Sequence, residues 1–149
     1  MCISILGPLA TLLVGCGVGF IAWQQWKVSH DKLRLDLFDR RYKVFDSTRI
    51  FLSVILKNAR FDDSQFFEFC AGISDVEFLF GKDVVDYLTQ IRTKALDARA
   101  HHEALETIPV GDERSRRVNA KQNDILWLGE QINVISGAFA PYLNFTNIK

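Results

Sequence analysis

Asp97 and His101 lie four residues apart, a spacing that sets a carboxylate and an imidazole on one helix face, with His102, Glu103 and Glu106 close behind. These are metal-ligand side chains, and Asp97 with His101 is the candidate metal pair. A carboxylate-bridged dimetal centre in a helical bundle draws on Glu-x-x-His pairs from two helices, and this chain has no Glu-x-x-His. Gly81-Lys82-Asp83 lacks both the glycine spacing and the hydroxyl of a phosphate-cradling loop. No Gly-x-Ser-x-Gly elbow occurs. Cys70 stands among Phe66, Phe67, Phe69 and Ile73 with no His or Asn placed to activate it, so it reads as a small buried hydrophobe. No catalytic residue, cofactor or small-molecule substrate follows from these patterns.

The segment ahead of these residues has a clearer physical meaning. From Met1 to Trp26 no side chain is charged, and Ile3 to Trp23 spans about 31 Å as a helix, matching a hydrocarbon core of roughly 30 Å. Trp23 and Trp26 are suited to the headgroup level, and Lys27 follows. Residues 1–26 are therefore expected to form an uncleaved transmembrane anchor, with residues 27–149 as one soluble domain. No Lys or Arg precedes the segment, whereas Lys27, Lys32, Arg34, Arg40, Arg41 and Lys43 follow it, which predicts a cytoplasmic C-terminal domain. Gly7, Thr11, Gly15 and Gly19 recur every four residues, a stripe on which two such helices can approach closely. Leu13-Val14-Gly15-Cys16 resembles a lipobox, so the alternative is an envelope lipoprotein lipidated at Cys16. The missing N-terminal charge and the apolar run that continues to Trp23 argue against it.

Helical periodicity governs the remainder. Leu37, Val44 and Phe51, beside Phe38, Phe45 and Leu52, predict a helix to about Asn58, and Asp63 or Ser64 is placed to cap the next. Gln65 to Phe80 reads as two short helices, Asp83 to Thr107 as a long one, and Asp112 onward as another that Pro141 stops. Val118, Ile125, Leu128, Ile132, Ile135 and Phe139 form the apolar face of the last. The expected fold is all-α: a transmembrane helix, then an antiparallel up-down-up bundle of three long helices with the short ones at its membrane-distal end. That order would return the loop Ile108-Pro109-Val110-Gly111 to the bilayer, where Arg114, Arg116 and Arg117 would join Trp23, Trp26 and Lys27 as membrane-surface contacts.

Eighteen basic residues balance eighteen acidic ones, which leaves no electrostatic footprint for nucleic acid. The run from Lys32 to Phe45 after an apolar helix, then Phe78-Leu79-Phe80-Gly81 and Phe139-Ala140-Pro141-Tyr142-Leu143, resembles a group of small bacterial membrane-anchored proteins of uncharacterised function. The resemblance covers most of the chain and implies a bacterial inner-membrane setting, and it carries nothing about catalysis. The functional expectation is a membrane-tethered interaction or scaffold module whose partners are the bilayer, another protein and a second copy of itself. A metal-dependent enzyme built on Asp97 and His101 is a further alternative.

Overall fold

The computed structural model describes residues 3–144, with side chains described from Gly15 to Asn144. Five helices account for most of them: α1 (Ile3–Asn58), α2 (Asp63–Gly72), α3 (Val76–Leu79), α4 (Lys82–Thr107) and α5 (Asp112–Leu143). The chain divides into two compact units, Met1–Leu37 and Phe38–Lys149. In the first unit the side chains of residues 15–36 are exposed, including Val18, Phe20, Ile21, Trp23 and Trp26. Among the described residues no helix is long and apolar enough to cross a membrane. The described side chains begin at Gly15 and the first charge is Lys27, a stretch shorter than the about 20 residues a crossing requires. The expected transmembrane helix therefore lies partly outside the described residues, as do the side chains of Gly7 and Thr11.

The second unit is a helical bundle. α1 stops because Ala59 turns left-handed, at φ 51°, while its N–H still bonds Ile55 O at 2.8 Å. Asp62 then caps α2, one residue earlier than expected: its carboxylate accepts from Gln65 N at 2.9 Å, and Gln65 Oε1 accepts from Asp62 N at 3.0 Å. Phe61 and Phe66, flanking this box, approach to 6.2 Å between ring centres and fix the angle at which the chain turns back. An alanine in the left-handed region is strained by its Cβ, so Ala59→Gly is expected to stabilise the fold by about 1 kcal/mol in urea titrations.

After this turn α2 descends along α1. Phe69 stacks on Phe51 at 4.6 Å, and Gly72 lies so close to α1 that a Cβ there would fall within 2.5 Å of Ser47 Cβ. α3 continues the descent until Leu79 O accepts from Arg41 Nε at 2.9 Å. The two short helices bury Phe66, Phe69, Ile73 and Val76, so they form a full leg of the bundle and do not cover its end. α4 therefore begins level with Arg41, and α5 returns antiparallel to both long neighbours. Phe139 meets Phe45 near one end, while Leu56 lies close to Gly129 farther along. On the other side Tyr142 bonds Asp83, and Arg114 reaches Leu105.

The all-helical bundle expected from periodicity is present, but its path differs. α4 runs parallel to the bundle segment of α1, where the up-down-up reading had them antiparallel. The Ile108 to Gly111 turn consequently lies at the end of the bundle opposite Phe38, so the premise that carried Arg114, Arg116 and Arg117 back to a bilayer is lost. α5 also passes through Pro141 to Leu143. Its last turn is held from outside, since Tyr142 OH donates to Asp83 Oδ1 at 2.7 Å and accepts from Gly81 N at 3.2 Å.

Candidate functional site

Polar side chains gather where α4 and α5 run side by side, toward the end of the bundle holding the Ile108 turn. Lys94 and His101, two helical turns apart on α4, flank Asp124 of α5, whose exposure is only 7%. Lys94 Nζ donates to Asp124 Oδ1 at 2.8 Å, and His101 Nε2 stands 3.9 Å from Oδ2. His101 Nδ1 is buried with no hydrogen-bond partner among the described residues. An unpaired acceptor costs less here than an unpaired N–H beside a carboxylate left unserved, which favours the tautomer with its proton on Nε2, facing Asp124. The hydrogen bond it donates to Asp124, then the carboxylate's charge, holds the pKa of the Lys94 ammonium above its ordinary value. A carboxylate between a lysine and an imidazole is the material of proton transfer. Here Lys94 occupies one carboxylate oxygen, and neither Asp124 nor His101 lines a described cavity, so the arrangement joins two helices.

The site residues expected from sequence are dispersed. Asp97 is exposed and His101 turns toward Asp124; among the described residues no three His, Cys, Asp or Glu side chains are grouped to hold a metal ion. Arg114 Nη1 donates to Leu105 O and Ile108 O, both at 2.8 Å, and so closes the C-terminal end of α4. Arg117 stands 3.6 Å from Glu113, and Arg116 is exposed. Trp23, Trp26 and Lys27 are exposed on α1, and Gly15 and Gly19 have open space where a Cβ would project. Burial pushes the Cys70 thiol up, with Arg92 opposing, so the thiolate is scarce.

Beyond His101, a cavity of about 410 Å³ opens among Arg60, Phe61, Asp63, Ala98, Arg99, His102, Glu103, Lys121 and Ile125. Arg99 bridges two carboxylates, Asp63 at 3.1 Å and Glu103 at 2.9 Å, and stands over the Phe67 ring. His102, next to His101 but turned another way, meets Lys121 Nζ through Nδ1 at 3.1 Å. Sequence inspection singled out neither this cavity nor Asp124. A signal for Asp124 and Gln131 did exist, because both fall on the apolar stripe of α5 between Lys121 and Ile135.

Nearer the other end, Tyr87 OH donates to Gln131 O at 3.4 Å, and burial pushes its pKa up to about 12. The unfolded chain releases this proton near pH 10, so stability tied to the neutral phenol is full below that pH and is lost as pH rises toward 12. Tyr87→Phe should flatten the alkaline fall of the urea midpoint; an unchanged alkaline limb would assign that fall to other groups, Tyr142 first. No family model, curated protein or solved structure matches the chain.

Proposed function

We propose that this protein is a membrane-tethered helical interaction module, held by residues 1–26 and presenting the bundle to a protein partner on the cytoplasmic side. The supporting observation is the exposure of Val18, Phe20, Ile21 and Trp23, each more than half accessible. At 100° per residue these four spread over more than half of the circumference of α1, so no single protein face buries them all. Hydrocarbon does, and they continue an uncharged stretch that begins at Met1. α1 runs helical through Gly15 and Cys16, which favours an intact anchor over processing at Cys16.

The test uses the full chain with a C-terminal tag in bacterial cells. It should remain in the membrane pellet after alkaline carbonate extraction, and its tag should resist protease in intact spheroplasts but not in lysed ones. Release by carbonate would remove the anchor. Digestion in intact spheroplasts would put the bundle outside and, together with palmitate labelling lost in Cys16→Ser, would establish the lipoprotein. Crosslinking in native membranes tests the module itself: a higher-mass adduct supports it, whether with another protein or with a second copy through the Gly7, Thr11, Gly15 and Gly19 stripe. Recovery of the monomer alone counts against it.

A further inference from the structure

We infer that the cavity between the end of α1, the start of α2, and the facing surfaces of α4 and α5 binds a small organic anion with an apolar body. Five charged side chains line it: Arg60, Arg99 and Lys121 against Asp63 and Glu103. Both acids are engaged by Arg99, the first at 3.1 Å and the second at 2.9 Å. Arg60 and Lys121 are left without a carboxylate partner among the described residues. Lys121 is oriented by the His102 ring, a contact that uses one N–H of the ammonium and leaves two to spare. Arg60 brings a guanidinium with its full set of donors.

The cavity therefore offers charged donors from two separate elements, α5 and the segment after α1, with both of its acids turned to Arg99 and three cations against two carboxylates in its lining. Phe61, Ala98 and Ile125 supply the apolar surface, and Ala98 and Ile125 belong to the buried core, so an apolar group lying there meets a fixed wall. The volume, about 410 Å³, falls within the roughly 300–1,000 Å³ of small-molecule sites. A charged head held by two cations, beside a hydrocarbon face, selects a carboxylate or phosphate monoester carrying a ring or short chain. A bare inorganic anion would leave the apolar wall unused, and a neutral ring would leave both cations unserved.

Calorimetric titration of the full chain in a non-ionic detergent, with benzoate and phenyl phosphate as probes, tests this. At least one should bind saturably, with inorganic phosphate and benzyl alcohol at least tenfold weaker. Comparing the two heads decides between a carboxylate and a phosphate ester. Arg60→Gln with Lys121→Gln should weaken binding at least tenfold without moving the thermal midpoint, since Arg60 is exposed, Lys121 only half-buried, and neither pairs with a carboxylate among the described residues. Arg40→Gln with Lys43→Gln, on the bundle segment of α1 nearer Phe38, should leave binding intact. Absence of saturation, equal binding of benzyl alcohol, or equal weakening by both double variants would overturn the assignment.

Discussion

Phe139→Ala should lower the unfolding free energy by about 3–5 kcal/mol, the largest single-residue loss expected in this bundle. Phe139 is wholly buried. Its ring meets the edges of Phe45 on α1 at 5.5 Å and of Phe80, at the α3–α4 corner, at 5.2 Å. One side chain on α5 thus holds α1 and the α3–α4 corner together, and the vacated space is bounded by rings that cannot collapse into it without leaving their own partners. Against a typical total of about 5–15 kcal/mol, the variant is left near the threshold of folding. Urea denaturation provides the measurement. Phe139→Leu, which keeps most of the volume, should recover more than half of the loss; a loss below about 1 kcal/mol for the alanine variant would mean that α5 does not close the bundle at this level.

The second expected result concerns Arg41. Arg41→Ala should cost about 2–3 kcal/mol, because the guanidinium donates to two carbonyls on different legs and lies over two rings. Nε reaches Leu79 O at 2.9 Å, Nη1 reaches Tyr142 O at 3.3 Å, and the group stands 5.5 Å from the Tyr142 ring and 5.9 Å from the Phe80 ring. Arg41→Lys should recover little of this, since a single ammonium cannot reproduce the planar fork. The lysine variant also separates two roles for one residue. In the proposed topology Arg41 would count among the cations that orient the chain by the positive-inside rule, and lysine would serve that rule equally well. Protease protection of a C-terminal tag should therefore be unchanged in Arg41→Lys while stability falls. The reverse pattern would make Arg41 a topological charge and nothing more.

Arg41 also illustrates what was legible in the sequence. Its charge and position were evident, but its partners lie 38 and 101 residues away, and no local pattern points to them. Helix limits at Asn58, Thr107 and Asp112 were readable because breaking residues and the 3.6-residue period act locally. The apolar faces of α1 and α5 were readable for the same reason, with Val44, Phe51, Leu52, Leu128, Ile135 and Phe139 all buried, though Val118 is exposed. The order of the legs was not. Periodicity shows which face of α2 is apolar but not whether that face lies along α1 or across its end. The decision rests on Gly72 admitting Ser47 and on the turn built by Ala59, Asp62 and Phe61. The cavity was hidden by the same logic, because Arg60, Arg99 and Lys121 meet only after three turns of the chain have been placed.

The Arg41 to Tyr142 contact has a mechanical consequence. The bundle unit begins at Phe38 and α5 ends at Leu143, and this contact ties the neighbourhoods of those two points at one end. A pull applied between residue 38 and residue 144 therefore loads the α1–α5 seam in unzipping geometry: the Arg41 latch breaks first, then the Phe45–Phe139 contact, then the approach of Leu56 to Gly129, one after another. Bonds broken in sequence resist far less force than bonds sheared together. The bundle should thus yield to low tension applied between these two points, and its end bearing the Ile108 turn should be the last part to open.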